Sequence, residues 1–378
     1  MFNQKLFSII QVITQSLFSF IFLSTLIKSG SETDYVSWSV SIAIVSAVFS
    51  LNIFSGVLFN KFIASGDYNT NIIFLNIFGI LIIVLLTLTY GLYTNSDMIF
   101  YLAVLFASMI QISSSLCNIV DGLGKIINRC IAQIIIFTVL SFIFFFIQKL
   151  NISMLLTLTF AIFGYFLISV ACIFIITINK KWSLSVPRNN WSTLVSQNSY
   201  AIAGSVTQSW IEPFIKYNLL ALGGTHLIVL FDVSTRIAST IRTLIVSINT
   251  PLISIWSQKY SQSSFNKELI INMILGTVSN TVYFFTSSTI FAVFFGVSEQ
   301  NLLFTTVIIL TYFLVTIQNL PNISNIVLNK INRNFYGTLI VFTSVLLGYF
   351  FVFDAEIFIW SYLIGYTMST VYLFSMKR

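Results

Sequence analysis

Residues 206–242 read VTQSWIEPFIKYNLLALGGTHLIVLFDVSTRIASTIR, in which two apolar runs carry five charged side chains. The two glycines at the centre indicate a turn, and each flanking run is close to the roughly 20 residues that cross a bilayer core of about 30 Å. Charged side chains inside a membrane span are costly, and they usually face a helix-bundle interior or a water-filled cavity. The stretch therefore predicts a membrane hairpin with a polar inner face.

The rest of the chain has the composition of a membrane protein. Of its 378 residues, 57% are apolar and 8% are charged, against about 25% charged in soluble domains. The mean hydropathy is +0.94. This composition excludes a soluble enzyme, a nucleic-acid-binding protein and any large domain outside the membrane. The cysteines at positions 117, 130 and 172 lack metal-ligand spacing, so we expect small buried hydrophobes rather than a metal site or a disulfide framework.

Polar breaks divide the chain into twelve predicted spans. They lie at 7–27, 36–59, 72–92, 98–120, 130–148, 152–177, 196–221, 226–249, 269–294, 301–322, 335–353 and 356–375. With the N-terminus inside, 13 of the 18 lysines and arginines fall in inner segments and two in outer loops. This is the positive-inside bias of a plasma-membrane protein. Both termini are therefore expected in the cytoplasm.

One long polar connection, residues 179–190, separates the first six spans from the second six. The two sets of spans share short sequence motifs. ITQS at 13–16 matches VTQS at 206–209, and spans 4 and 10 each contain a glutamine followed seven residues later by an asparagine. Because six is an even number, both halves enter the membrane in the same sense. This relation is typical of the parallel repeats of transporters, which share an axis along the membrane normal.

The predicted fold is an all-α integral membrane protein. About twelve transmembrane helices form two six-helix bundles that are related by a pseudo-two-fold axis along the membrane normal. We expect an N-terminal bundle at 1–178, a cytoplasmic linker at 179–193 and a C-terminal bundle at 194–378.

Four of the charges in the hairpin are spaced to meet across its two helices. Glu212 and Arg236 each lie twelve residues from position 224, and Lys216 and Asp232 each lie eight residues from it. At 1.5 Å per residue, these levels are about 18 and 12 Å below the turn. Opposite charges are therefore expected to pair at both levels.

This charge ladder has two interpretations. It is either a structural device that sets the register of spans 7 and 8, or the lining of a water-filled cavity in which Glu212 or Asp232 takes up a proton. Pro213 favours the second interpretation, because it removes a backbone donor beside Glu212 and favours a bend.

Arg242 has no acidic residue at its depth. It either extends to the cytoplasmic headgroups or binds a phosphate, for which its planar guanidinium is suited. Gln15 and Gln208 are candidate sugar-binding residues in a lumen, or else interhelical hydrogen-bonding residues. No nucleotide-binding, hydrolase or metal-binding motif occurs, so we expect neither catalytic residues nor a cofactor.

The hairpin resembles the span 7–8 signature of Wzx-type O-antigen flippases. These are polysaccharide transporters of the multidrug/oligosaccharidyl-lipid/polysaccharide (MOP) superfamily. The resemblance lies in EPFIKYNLL at 212–220, the glycines at 223–224 and FDVSTRI at 231–237. It covers some 26 residues closely, and the twelve spans in two halves extend it to the whole chain.

The resemblance implies a V-shaped pair of six-helix bundles with a cationic central cavity. Such proteins move undecaprenyl-pyrophosphate-linked oligosaccharide from the inner to the outer leaflet of the bacterial inner membrane. Alternating access coupled to a H⁺ or Na⁺ gradient is expected, with a polysaccharide polymerase and a chain-length regulator as partners. By position, Glu212, Lys216, Asp232 and Arg236 match the charges of the family. Unlike many relatives, the first half has no charge within its predicted spans.

Two other functions remain open. A multidrug antiporter of the same superfamily would favour an acidic cavity, whereas this hairpin carries a net charge of +1. A membrane polysaccharide polymerase would use the same lipid-linked sugar, but the short outer loops and the paired halves disfavour it.

Overall fold

The computed structural model describes residues 2–51, 70–122, 125–150, 152–178, 191–222, 224–249, 256, 260–295, 301–328 and 330–375. Within these ranges the chain forms twelve α-helices and no strand, so the all-α prediction is confirmed. Each predicted span coincides with one helix. The prediction for 52–59 and most of the predicted linker, 179–190, fall outside the described residues.

The helices of the first half are α1 (Phe2–Ser29), α2 (Glu32–Phe49), α3 (Thr70–Tyr93), α4 (Met98–Gly122), α5 (Ile126–Lys149) and α6 (Met154–Ile178). Those of the second half are α7 (Trp191–Ala221), α8 (Thr225–Asn249), α9 (Gln262–Ile290, continued by a π-helical turn, Phe291–Phe295), α10 (Leu302–Val327), α11 (Ile331–Phe351) and α12 (Ala355–Ser375). Nine helices in the described part of the chain are long and apolar enough to cross a membrane, and the other three are α2, α7 and α8. The chain is therefore a multi-pass membrane protein.

Polar residues with short side chains fix where several helices begin. Ser31 and Asp34 form a capping box at α2, in which each side chain accepts a hydrogen bond from the other residue's backbone N–H at 3.2 Å. Asn301 Oδ1 accepts from the backbone N–H of Phe304 at 3.0 Å at the start of α10. These bonds satisfy backbone donors that the first helical turn leaves free.

The chain divides into two compact units, Met1–Ile202 and Ala203–Arg378, and the boundary falls within α7. In the second unit α8 contacts α9 and α10, α10 contacts α9, α11 and α12, and α11 contacts α12. The same contacts occur in the first unit between helices whose numbers are lower by six. The order of packing thus repeats between the units, in agreement with the repeat seen in the sequence.

Each unit has its own apolar core. In the first, Phe18 stacks on Phe22 and Phe137, with ring centroids 5.9 and 5.1 Å apart. In the second, Trp256, Phe265 and Leu320 form a fully buried cluster. Many large apolar side chains on the remaining helix faces are exposed, as expected for surfaces that contact lipid.

Close packing of α11 on α12 depends on Gly348. A Cβ atom at this position would lie 2.5 Å from Ser361 Cβ, whereas one at Gly204 would approach no atom more closely than 3.6 Å. We therefore expect Gly348→Ala to lower the free energy of unfolding by about 1–3 kcal/mol, the usual cost of overpacking. Gly204→Ala is the matched control, since both glycines lie in helices of the second unit. Unfolding of the purified protein in detergent measures both, and equal stabilities would contradict the prediction.

Candidate functional site

The charged hairpin of α7 and α8 is closed by a tight turn. Gly224 donates its backbone N–H to Leu219 O at 2.8 Å, and Leu222 donates to Asn218 O at 3.0 Å. A Cβ atom at Gly224 would lie 3.0 Å from Leu219 O and 3.1 Å from Ala355 Cβ, so the site favours glycine. Gly223 lies outside the described residues. The turn sets the register that brings the charges of the two helices together.

Lys216 is the centre of the charge cluster. Its Nζ lies 2.8 Å from Glu212 Oε1, one turn earlier on α7, and 2.7 Å from Asp232 Oδ1 on α8. The Lys216 side chain is 4% exposed and that of Asp232 is 10% exposed, whereas that of Glu212 is 57% exposed. The cross-helix pair of Lys216 with Asp232 is thus present, as the register predicts. One buried ammonium group is shared between two carboxylates.

The second predicted cross-helix pair, Glu212 with Arg236, is wrong. Among the residues that the structure describes, no ion pair includes Arg236, and its side chain is exposed. The physical reason is that Lys216 lies one helical turn from Glu212 on the same face and binds its carboxylate. Equal depth therefore does not bring Glu212 and Arg236 into contact.

This arrangement predicts the outcome of a charge swap. Glu212→Arg combined with Arg236→Glu should recover less than about 1 kcal/mol of the free energy of unfolding that the two single variants lose together, because no ion pair joins these side chains among the described residues. A double-mutant cycle on the free energy of unfolding measures this coupling. A coupling of 1 kcal/mol or more would show that the two side chains pair.

A polar cavity lies beside Arg242 within the second unit. Its volume is about 270 Å³. The residues that line it come from α7, α8, α10, α11 and α12: Gln208, Arg242, Val315, Gln318, Asn319, Asn322, Asn334, Gly337, Thr338, Val341, Tyr366, Ser369 and Leu373. Among them are a guanidinium group and five side-chain amides, so the lining is rich in hydrogen-bond donors.

Three buried atoms of this lining have no hydrogen-bond partner among the described residues. They are Arg242 Nε, Asn319 Nδ2 and Asn322 Oδ1. Leaving a buried polar group without a partner costs about 1–3 kcal/mol, and more for a charged group. Because three such groups border one small cavity, we infer that a ligand or water molecules in the cavity form hydrogen bonds to them.

The remaining polar side chains of the cavity are held in place. Gln318 Nε2 donates to Tyr366 O at 3.1 Å and to Thr370 Oγ1 at 2.8 Å, and Gln208 Nε2 donates to Tyr366 Oη at 3.1 Å. Asn334 Nδ2 donates to Asn322 O at 3.1 Å. These bonds pre-organise the cavity lining around Arg242, whose Nε has no hydrogen-bond partner among the described residues. Two donor groups, one of them cationic, suit an oxyanion such as a phosphate.

Sequence reasoning identified only part of this site. It singled out Arg242 and Gln208 but missed Asn319, Asn322 and Asn334. The available signal was the polar face of α10, on which Gln318 and Asn322 are four residues apart. Gln15, the seventh predicted site residue, lies in α1 of the first unit, where its Oε1 accepts from Gln11 Nε2 at 2.8 Å. It is not among the residues that line the cavity.

The first unit carries a different polar cluster on the helices α4 and α5, which correspond to α10 and α11. Arg129 forms an ion pair with Asp121, and its Nη1 donates to Gln133 Oε1 at 2.6 Å. Its guanidinium is therefore neutralised by a carboxylate, whereas no ion pair within the described ranges includes Arg242. The anion-binding chemistry among the described residues is concentrated in the second unit.

Comparison with known proteins identifies the fold. No known sequence family matches the chain, and no curated protein does. Solved structures do match over nearly the whole length. An inward-facing multidrug resistance MATE family transporter of the MOP superfamily aligns with a TM-score of 0.73 and 11% identity, covering 96% of this chain and 93% of that one.

Two further structures agree. A MATE protein in the bent conformation aligns with a TM-score of 0.62 and 11% identity, covering 97% of this chain and 92% of that one. The MATE transporter ClbM in complex with Rb⁺ aligns with a TM-score of 0.57 and 14% identity, covering 100% and 94%. The chain thus has the all-α fold of MATE transporters of the MOP superfamily. These neighbours are transporters rather than enzymes.

Proposed function

We propose that the protein is a flippase that moves undecaprenyl-pyrophosphate-linked oligosaccharide repeat units from the cytoplasmic to the periplasmic leaflet of the bacterial inner membrane. The observation that carries the proposal is Arg242, whose buried Nε has no partner among the described residues and borders a cavity lined with amides. An anionic headgroup with attached sugars needs both a fixed cation and hydrogen-bonding side chains. The MATE-like fold and the resemblance of the hairpin to flippases of this superfamily support the same function.

In this mechanism Arg242 holds a phosphate of the pyrophosphate headgroup. Asn319 Nδ2 donates a further hydrogen bond to the phosphate, and Asn322 Oδ1 accepts one from a hydroxyl group of the first sugar. The polyprenyl tail stays in the lipid, so only the polar headgroup needs a path through the protein. No covalent step is required.

Coupling to a proton or sodium gradient is assigned to the Glu212 end of the charge cluster. Glu212 is the exposed carboxylate of the three-residue cluster, whereas Asp232 is buried against Lys216. Protonation of Glu212, or binding of Na⁺ by it, would leave Lys216 paired with Asp232 alone. Arg236 is exposed on α8 and carries a second positive charge for the headgroup. A polymerase and a chain-length regulator would act on the delivered units at the outer leaflet.

A multidrug antiporter is the second candidate, and the fold supports it equally well, since one of the matched structures is a multidrug resistance transporter. An antiporter for organic cations would need an acidic cavity. The charges that the described residues place in the α7–α8 hairpin sum to +1, and the cavity lining contains an arginine and no carboxylate. The anionic substrate therefore fits the site better.

Deleting the gene in its host tests the proposal. Complete single repeat units trapped on the inner leaflet would support the flippase. Single units exposed on the outer leaflet would contradict it and favour a polysaccharide polymerase. An unchanged surface polysaccharide without accumulated lipid-linked units would contradict both and direct attention to drug export.

A further inference from the structure

Two of the three cysteines are in contact inside the first unit. Cys117 on α4 and Cys172 on α6 are 7% and 1% exposed, and their Sγ atoms are 3.5 Å apart. Both are free thiols. A disulfide bond is about 2.05 Å long, so the two sulfurs must approach each other by about 1.5 Å. The helices that carry them already pack against each other.

The pair is connected to the exterior by polar side chains. Gln133 Nε2 donates to Cys117 Sγ at 3.2 Å, Arg129 Nη1 donates to Gln133 Oε1 at 2.6 Å, and Arg129 is ion-paired with Asp121. The Asp121 side chain is 35% exposed. This row of polar groups leads from an accessible carboxylate to a buried sulfur within otherwise apolar helices.

The same row places a hydrogen-bond donor against the thiol of Cys117. The thiolate is the reactive form of cysteine. Gln133 aims an N–H at Cys117 Sγ, and the Arg129 guanidinium polarises that amide from the other side.

We propose that Cys117 and Cys172 form an oxidation site whose co-substrate is hydrogen peroxide or a related small peroxide. One thiol is oxidised by the peroxide to a sulfenic acid, with release of one water. The second sulfur attacks the sulfenic sulfur, a S–S bond forms, and a second water leaves. The peroxide is reduced by two electrons, the two thiols are oxidised by two, and the product is a disulfide that links α4 to α6.

The disulfide is reversible by thiol exchange, as redox-sensing cysteine pairs are. It joins two helices that otherwise pack without a covalent link, so oxidation makes the first unit more rigid. This proposal does not depend on the identity of the transported substrate.

Cys130 is the internal control. It is buried like the other two, but the contact described for its Sγ is Ser8 Oγ at 3.9 Å, not a thiol. It therefore has no resolving partner among the described residues. Peroxide should spare it or oxidise it only slowly.

Counting thiols in the full-length protein in its membrane tests the proposal. The membranes are treated with hydrogen peroxide, denatured in detergent and labelled with a maleimide reagent of known mass. The untreated chain should take up three labels and the oxidised chain one, and a dithiol reductant should restore three. A cross-linked peptide pair containing Cys117 and Cys172, detected by mass spectrometry, identifies the bond.

Matched variants separate this outcome from general oxidation. Cys130→Ser should still lose two labels, whereas Cys117→Ser and Cys172→Ser should lose none that a reductant restores. Retention of three labels by the wild-type protein would overturn the proposal. A loss that reductant does not reverse, or that occurs equally in Cys117→Ser, would also overturn it, since it would indicate oxidation without pairing.

Discussion

In the proposed flippase, replacing Arg242 with glutamine is expected to lower oligosaccharide translocation by about ten- to a hundredfold. The side chain supplies the cationic donor of the cavity, and a hydrogen bond to a charged group is worth about 1.5–3 kcal/mol, where 1.4 kcal/mol corresponds to a factor of ten. Glutamine keeps a donor of similar polarity but removes the charge. The loss is measured as the rate at which lipid-linked units reach the periplasmic leaflet, which faces the lumen of inverted vesicles and the exterior of intact inner-membrane spheroplasts.

Two further variants make this result specific. Arg242→Lys keeps the charge but not the planar pair of donors, so it should lie between the wild-type protein and the glutamine variant. Lys330→Gln is the matched control, because it removes one positive charge from the same unit at an exposed position next to α11. If Lys330→Gln reduced translocation as much as Arg242→Gln, the effect would be one of net charge and the assigned role of Arg242 would be wrong.

The twelve helices were predictable because a membrane span is recognised from the length and the hydropathy of one continuous segment. A segment must be long and apolar enough to cross the hydrocarbon core, and polar breaks such as those near Asn95 and Leu328 end a helix whatever its neighbours are. The helices extend past several predicted ends, for example from Phe2 rather than residue 7 in α1, because a helix continues beyond the apolar core.

The charge cluster was only half predictable. The distance from the turn gives the depth of a residue but not the direction in which its side chain points. Lys216 and Asp232 share both depth and direction, so their pair is present, whereas Glu212 and Arg236 share depth alone. Direction depends on how α7 and α8 rotate when they pack, and this is set by residues distant in sequence, such as Phe342 and Tyr349 of α11 against Phe214.

The cavity was the least predictable feature. Arg242 could be singled out because it lacks an acid at its depth, but its neighbours come from four other helices. Asn319, Asn322 and Asn334 are unremarkable in sequence, since asparagine is common throughout this chain. Only the packing of α10 against α8 and α11 makes them the walls of one site.

Replacing Lys216 with methionine should have the largest effect on folding. Methionine has nearly the length of lysine but no charge, so the buried carboxylate of Asp232 would lose its ion pair with the ammonium group of Lys216. Breaking a buried ion pair by removing one member costs about 3–5 kcal/mol. We expect a corresponding fall in the free energy of unfolding, measured in mixed detergent micelles, or a failure of the protein to accumulate in the membrane.

The double variant Lys216→Met with Asp232→Asn should recover most of this loss, because it removes both charges at nearly constant volume. Glu212→Gln should cost less than about 1 kcal/mol, since the Glu212 side chain is 57% exposed and exposed pairs contribute little. These results would show that the pair of Lys216 and Asp232 stabilises the hairpin. Glu212 would then be the carboxylate of the cluster that remains available for the proposed ion coupling. If Glu212→Gln proved as destabilising as Lys216→Met, the three charges would form one structural unit, and the coupling role would have to lie elsewhere.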